Sequence, residues 1–227
     1  MDRGWGRIGW LYALGVLAAA QLGKMSALVP LITVEFAIGL TVAGVLISLL
    51  EIGGATLGFV AGLFVDRLGV RRVLLTGLGV FAVAGLGESV AASVPALIGL
   101  RLLEAFAYLC VVVAAPLLIF RSAPAGQAAV ALALWSSFVP VGFALGATTS
   151  GWIADAASWR AATVVWAAMA ALMLLLTLRM AIPRAASADG GTTRRGLSFP
   201  RRSIWALTMA FGCYASFAVG LIALLPT

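Results

Sequence analysis

Seven apolar runs leave this chain few ways to fold. They cover about Ile8–Thr33, Thr41–Phe64, Val73–Ala92, Pro95–Phe120, Gln127–Ile153, Ala161–Ile182 and Ile204–Leu225. Each is near or above the roughly 20 residues that carry a helix across a hydrocarbon core of about 30 Å. The runs are too long and too uniformly apolar for barrel strands, which alternate. Inside lipid every backbone N–H and C=O must be satisfied within its own segment, so helices remain. Composition agrees: 63% of the 227 residues are hydrophobic and only 10% are charged. No water-soluble core needs that much apolar side chain. The expected fold class is an all-α membrane protein whose partner is the lipid bilayer.

The start, Met1 to Ala20, has the outline of a secretory leader, with Arg3 and Arg7 before an apolar stretch and Ala18-Ala19-Ala20 after it. The apolar run continues through Leu28-Val29-Pro30-Leu31-Ile32, so the expectation is a retained first helix.

A net charge of +7 would suit nucleic acid, but the arginines sit in short segments between apolar runs, as membrane topology requires. With the amino terminus inside, twelve arginines fall on the cytoplasmic side: Arg3, Arg7, Arg67, Arg71, Arg72, Arg121, Arg179, Arg184, Arg194, Arg195, Arg201 and Arg202. Only Arg160 falls outside. This bias predicts a cytoplasmic amino terminus and, after seven spans, an external carboxy terminus. The setting expected is a bacterial inner (plasma) membrane. Cys110 and Cys213 lie within apolar runs and read as packing residues, with no disulfide or metal framework. There is no histidine, so a proton carrier here must be a carboxylate. No nucleophile is paired with a base and no nucleotide loop is present, so neither an enzyme nor a cofactor is expected.

Polar groups within the spans are the candidate functional residues, because a central Lys, Arg or Asp costs roughly 2.5–3.5 kcal/mol to insert. They are Gln21 and Lys24 in the first span, Glu51 in the second, and Arg101 and Glu104 in the fourth. At 1.5 Å per residue the four charges fall roughly 9–15 Å below the outer boundary. One reading is mutual neutralisation, with Arg101 against Glu104 three residues on and Lys24 against Glu51 across helices. The other is a site for a small anion or for proton coupling. Two cations attract an oxyanion, and Arg grips it bidentately. A buried carboxylate can exchange a proton.

Between the second and third spans runs Gly62-Leu63-Phe64-Val65-Asp66-Arg67-Leu68-Gly69-Val70-Arg71-Arg72. Read alone it is a tight, basic turn that fixes topology. As a pattern, G-x-x-x-D-R-x-G-x-R-R between two membrane helices resembles the signature loop of the major facilitator superfamily of secondary transporters. Three further stretches are similar to that superfamily. Arg101-Leu102-Leu103-Glu104-Ala105 resembles its fourth-helix motif, where the Arg is associated with coupling or substrate binding. Pro140, Gly142, Gly146 and Gly151 look like a loose version of its glycine-proline fifth helix, although Val139 stands where a Gly would precede the Pro. Ser158-Trp159-Arg160 matches a recurrent opening of its sixth helix. The Gly-Lys-Met-Ser of the first span, with Arg101 and Glu104, is similar to the branch that includes cyanate-type anion transporters.

The resemblance implies residues 1–182 as an amino-terminal six-helix bundle of two inverted three-helix repeats. Residues 183–202 would be the central cytoplasmic loop, and 203–227 the first helix of a second half. It implies that Asp66 latches an inner gate with Arg121, beside Gly62, Arg67, Gly69, Arg71 and Arg72. Gly54, Gly58 and Gly62 recur every four residues and form a small-residue stripe for close helix approach, with Glu51 on the same stripe. A second half should hold six spans, so the chain reads as truncated, or as half of an assembly completed by a missing half or a partner chain.

The function expected is a secondary active transporter of a small solute, an anion, moved with protons by alternating access. The alternatives are a proton-coupled exporter of drugs or amphipathic solutes using Glu51 and Glu104, and a non-transporting truncated membrane protein.

Overall fold

Helices in lipid gain little from hiding apolar side chains from one another, so they associate through close backbone approach and interhelical hydrogen bonds. Both devices organise this chain. A computed structural model describes residues 3–52 and 68–180, which fall within one compact unit, Met1–Ala185. The helices are α1 (Arg3–Phe36), α2 (described over Leu40–Ile52), α3 (Val70–Ser89), α4 (Val94–Ser122), α5 (Ala128–Trp135), α6 (Phe138–Ala156) and α7 (Trp159–Arg179). The segments Gly4–Phe36, Val70–Ser89, Val94–Ser122, Ala128–Ala156 and Trp159–Arg179 are long and apolar enough to cross a bilayer. The protein is therefore an all-α integral membrane protein. The remainder of the second span, the central loop and the seventh span lie outside the described residues.

The helix ends follow from their local chemistry. The α1 helix closes where Ala37 turns left-handed (φ 51°) and the Ile38 N–H reaches back to the Thr33 carbonyl at 3.2 Å. Extended Ser93 precedes α4, with Pro95 in its first turn, where a missing N–H costs nothing. Ser158 caps α7, its side chain accepting from the Ala161 N–H at 3.1 Å.

The fifth span differs from its sequence reading as one unbroken helix. It is interrupted at Ser136 and Ser137, between α5 and α6. Both hydroxyls donate to carbonyls three residues back, Ser136 to Ala133 at 2.6 Å and Ser137 to Leu134 at 2.8 Å. Pro140 has no N–H to offer the Ser136 carbonyl. Tyr12 of α1 meets the break through a hydroxyl–hydroxyl bond to Ser137 at 2.9 Å.

The α1 helix is the hub, packed on α6 and α4, while α3 packs between α4 and α7. Glycines set the α1–α6 crossing. A Cβ added at Gly23 would run into the Phe143 carbonyl, and one at Gly146 into the Ala20 carbonyl. A Cβ at Gly142 would meet the Val16 carbonyl and the Ala19 methyl. The two backbones therefore touch directly, which only small residues allow.

The buried apolar side chains form two main clusters. Towards the amino-terminal end lie Ile8, Leu14, Leu74, Phe81, Val111 and Trp135 among others. Towards the opposite end lie Met25, Leu28, Leu46, Leu97 and Trp159. On α1 and α4, which contribute to both clusters, the residues between them are where the charges sit.

Candidate functional site

That intervening layer holds four fully buried ionic side chains: Lys24, Glu88, Arg101 and Glu104, each 0% exposed. The α1 helix supplies Lys24, the last turn of α3 supplies Glu88, and α4 supplies Arg101 and Glu104 about two turns and more past its start. Lys24 Nζ donates to Glu88 Oε2 and to Glu104 Oε1, both at 2.7 Å. Arg101 Nη1 binds Glu104 Oε2 and lies 4.0 Å from Glu88 Oε1. Its Nε donates to the Leu46 carbonyl of α2 at 3.2 Å, and Nη1 also to the Gln21 carbonyl of α1 at 3.4 Å. One side chain thus ties three helices together.

Two cations and two carboxylates sum to zero, which removes the monopole cost of holding charge in hydrocarbon but leaves each group to find its own hydrogen bonds. Two of the four succeed and two fall short by one atom each. Glu104 has both oxygens engaged, Lys24 bridges two carboxylates, and Glu88 uses only Oε2. Among the described residues, two buried side-chain polar atoms have no partner, and both belong to this quartet: Glu88 Oε1 and Arg101 Nη2. A spare acceptor and a spare donor thus remain in a site sealed from solvent, and buried atoms of this kind call for an explanation.

The sequence-derived candidates distribute unevenly around this layer. Lys24, Arg101 and Glu104 meet in it, and the Arg101–Glu104 contact three residues apart forms. Gln21 is buried beside it, its amide donating to the Leu17 carbonyl at 3.3 Å. The Lys24–Glu51 pair that mutual neutralisation would make does not form. Glu51 is exposed near the end of the described part of α2, and Lys24 takes Glu88 and Glu104 instead. Glu88 is the residue that sequence reasoning missed. A carboxylate one residue from a helix end reads as interfacial, yet α3 ends inside the bundle's polar layer and Glu88 is wholly buried. Charge balance gave no warning, since Glu51 already completed two cations with two carboxylates in the sequence; the available signal was that Glu88 falls within the apolar run Val73–Ala92.

Of the gate residues, Gly62, Asp66 and Arg67 lie outside the described residues, as do Gly54 and Gly58 of the stripe. Gly69 precedes α3 with φ 83°, a conformation that favours glycine. Arg71 donates to the Leu178 carbonyl near the end of α7 at 3.3 Å, while Arg72 and Arg121 are exposed. Pro140 lies in the first turn of α6, and Gly142 and Gly146 are at the α1 crossing.

A second polar cluster closes the opposite end of the bundle. Glu35 accepts from Trp159 Nε1 at 2.6 Å and from Arg160 Nη1 at 2.8 Å. Arg160 Nη2 reaches the Ala91 carbonyl at 3.1 Å, and its guanidinium stacks 4.3 Å over the Trp159 ring. The pair is partly exposed, at 35% and 40%, and belongs to the bundle's rim.

Bilayer-length helices that gather their charges inside the bundle, away from lipid, define a polytopic membrane protein with a working interior. The chain belongs to the Major Facilitator Superfamily, whose family model matches residues 11–227. Over 162 residues, 71% of the chain, it is 30% identical to the methylenomycin A resistance protein of Streptomyces coelicolor. The match spans 33% of that protein's length.

Proposed function

We propose that this protein acts as a secondary active transporter, moving a small solute together with protons by alternating access. The observation that carries the reading is the buried quartet. Ionic groups placed at this depth are costly, and a neutral cluster with one spare acceptor and one spare donor can accept a proton or a polar ligand without being dismantled. Membership of the superfamily supports transport as the task in place of enzymatic chemistry.

The solute we infer is a small anion. Lys24 and Arg101 are the only cations in the layer among the described residues, and Arg101 Nη2 is a free donor of the kind that grips an oxyanion. Export of an antibiotic-like solute is the second reading. It is favoured by the similarity to a protein named for methylenomycin A resistance.

Residues 1–182 are assigned to the six-helix half, 183–202 to a cytoplasmic loop and 203–227 to the first helix of a second half. A second half is what rocking about a central site requires, whether on this polypeptide or on a partner. Asp66, with Gly62, Arg67, Gly69, Arg71, Arg72 and Arg121, is assigned to the inner gate, and Glu51 with Gly54 and Gly58 to the face that meets the second half. The arginine bias supports a cytoplasmic amino terminus and an external carboxy terminus, and similarity to a Streptomyces protein favours a bacterial inner membrane as the setting.

Transport into proteoliposomes tests the proposal, with small carboxylates and oxyanions compared against amphipathic cations, with and without a pH gradient. Gradient-driven movement of an anion supports the first reading, and of an amphipathic cation the second. Movement of neither, from correctly inserted protein, refutes both.

A further inference from the structure

The quartet contains an asymmetry that the transport reading alone does not use. Glu104 is held by Lys24 through one oxygen and by Arg101 through the other. Glu88 is held by Lys24 through Oε2 alone, and its Oε1 has no hydrogen bond although fully buried. Protonating Glu104 would break a bond on either oxygen it used. Protonating Glu88 on Oε1 would break none.

We propose that Glu88 is the proton-carrying group of this site, and that its protonation converts a neutral, closed cluster into a cationic one able to take a single monovalent anion. This inference rests on the transport reading and deepens it. One O–H bond forms at Oε1, with the proton taken from water on one side of the membrane. Lys24 keeps its ammonium and its bond to Oε2. The charges then stand at two positive and one negative, which is the condition under which Arg101 Nη2 gains an anion to bind. The anion restores neutrality, so proton and anion cross together at one to one. Loss of the proton on the other side returns the carboxylate and expels the anion.

The surroundings of Glu88 are consistent with sole control by these charges. The α1 helix presents Lys24 and α4 presents Arg101 and Glu104. The α2 helix presents the Leu46 carbonyl to Arg101, and α7 meets the same stretch of α3 through Ala167 and the Thr163 backbone at Gly85, with no titratable side chain. Leu100 of α4 packs over Gly87, the residue before Glu88.

Infrared difference spectroscopy of the full chain, titrated from neutral to acid pH in lipid, tests this without any substrate. The expected result is a carboxylic-acid C=O band that grows on acidification, disappears in Glu88→Gln and persists in Glu88→Asp at a shifted frequency. In proteoliposomes, Glu88→Gln should retain anion exchange while losing accumulation driven by a pH gradient. A band that survives unchanged in folded Glu88→Gln overturns the proposal, as does undiminished gradient-driven accumulation by that variant. If the wild-type protein transports nothing while the Glu88 band titrates as expected, the transport reading fails and the proton assignment stands.

Discussion

Replacing Gly146 by alanine is the sharpest test of how α1 and α6 meet. A methyl group there would overlap the Ala20 carbonyl, with the Ala20 Cα and carbonyl carbon both at 2.8 Å. These are backbone atoms of a helix that is itself packed on α4, so they cannot turn aside as a flexible side chain would. Overpacking of this kind costs about 1–3 kcal/mol. Against it stands the gain of about 0.5–1 kcal/mol that alanine brings over glycine within a helix. The net expectation is a loss of up to about 2.5 kcal/mol. Gly151 provides the control on the same helix, because a Cβ there meets nothing within 4 Å. Gly151→Ala should therefore gain about 0.5–1 kcal/mol, giving the two variants opposite signs. Unfolding in mixed micelles titrated with SDS, followed by tryptophan fluorescence, measures both. If Gly146→Ala proves as stable as Gly151→Ala, the direct backbone contact between α1 and α6 is wrong.

Three further outcomes are expected. Lys24→Gln removes the hydrogen-bond donor to Glu88, leaving that buried carboxylate stranded while Arg101 still holds Glu104, and should cost about 3–5 kcal/mol in the same unfolding assay, while Lys24→Gln with Glu88→Gln should recover most of it; no recovery would mean that the two side chains do not pair. Glu35→Gln removes one partner of a rim pair and should cost under about 1 kcal/mol, a difference that shrinks as salt is raised; a larger, salt-insensitive loss would contradict its partly exposed setting. Ala125→Cys and Ala157→Cys, in a cysteine-free background, should react with an impermeant reagent from opposite sides of the membrane; labelling of both from one side would overturn the topology.

The spans were legible because hydropathy and length constrain a helix in lipid so tightly. The third and sixth runs were read within about three residues of α3 and α7, and the superfamily was legible from the spacing of glycine, aspartate and arginine around residue 66. The site was only partly legible. Lys24, Arg101 and Glu104 stood out because each lies well inside a long apolar run, where charge is costly. Glu88 did not, because its depth depends on where α3 ends within the bundle, which no one-dimensional pattern encodes. The choice of Glu88 over Glu51 as a partner for Lys24 is likewise a matter of helix order in space. The interruption at Ser136–Ser137 was hidden by the surrounding hydropathy, and its cause is a local competition between hydroxyl and backbone donors that an apolar average cannot register.

The position of Lys24 on the first helix has a consequence for how the protein is made. Its two partners lie 64 and 80 residues further along the chain. At a synthesis rate of about 5–20 residues per second, roughly 3–16 s pass between the emergence of the ammonium and that of its carboxylates. During that interval α1 carries an unpaired cation whose place is mid-membrane, at a penalty of roughly 2.5–3.5 kcal/mol, and its bare glycine face at Gly23 has no α6 to cover it. The first helix must therefore wait beside the insertion machinery, or tilt so that Lys24 reaches the headgroups, until α3 and α4 arrive to neutralise it. The folding of this half is thereby tied to the order of translation, and a pause in synthesis before residue 104 would strand the chain at its most fragile stage.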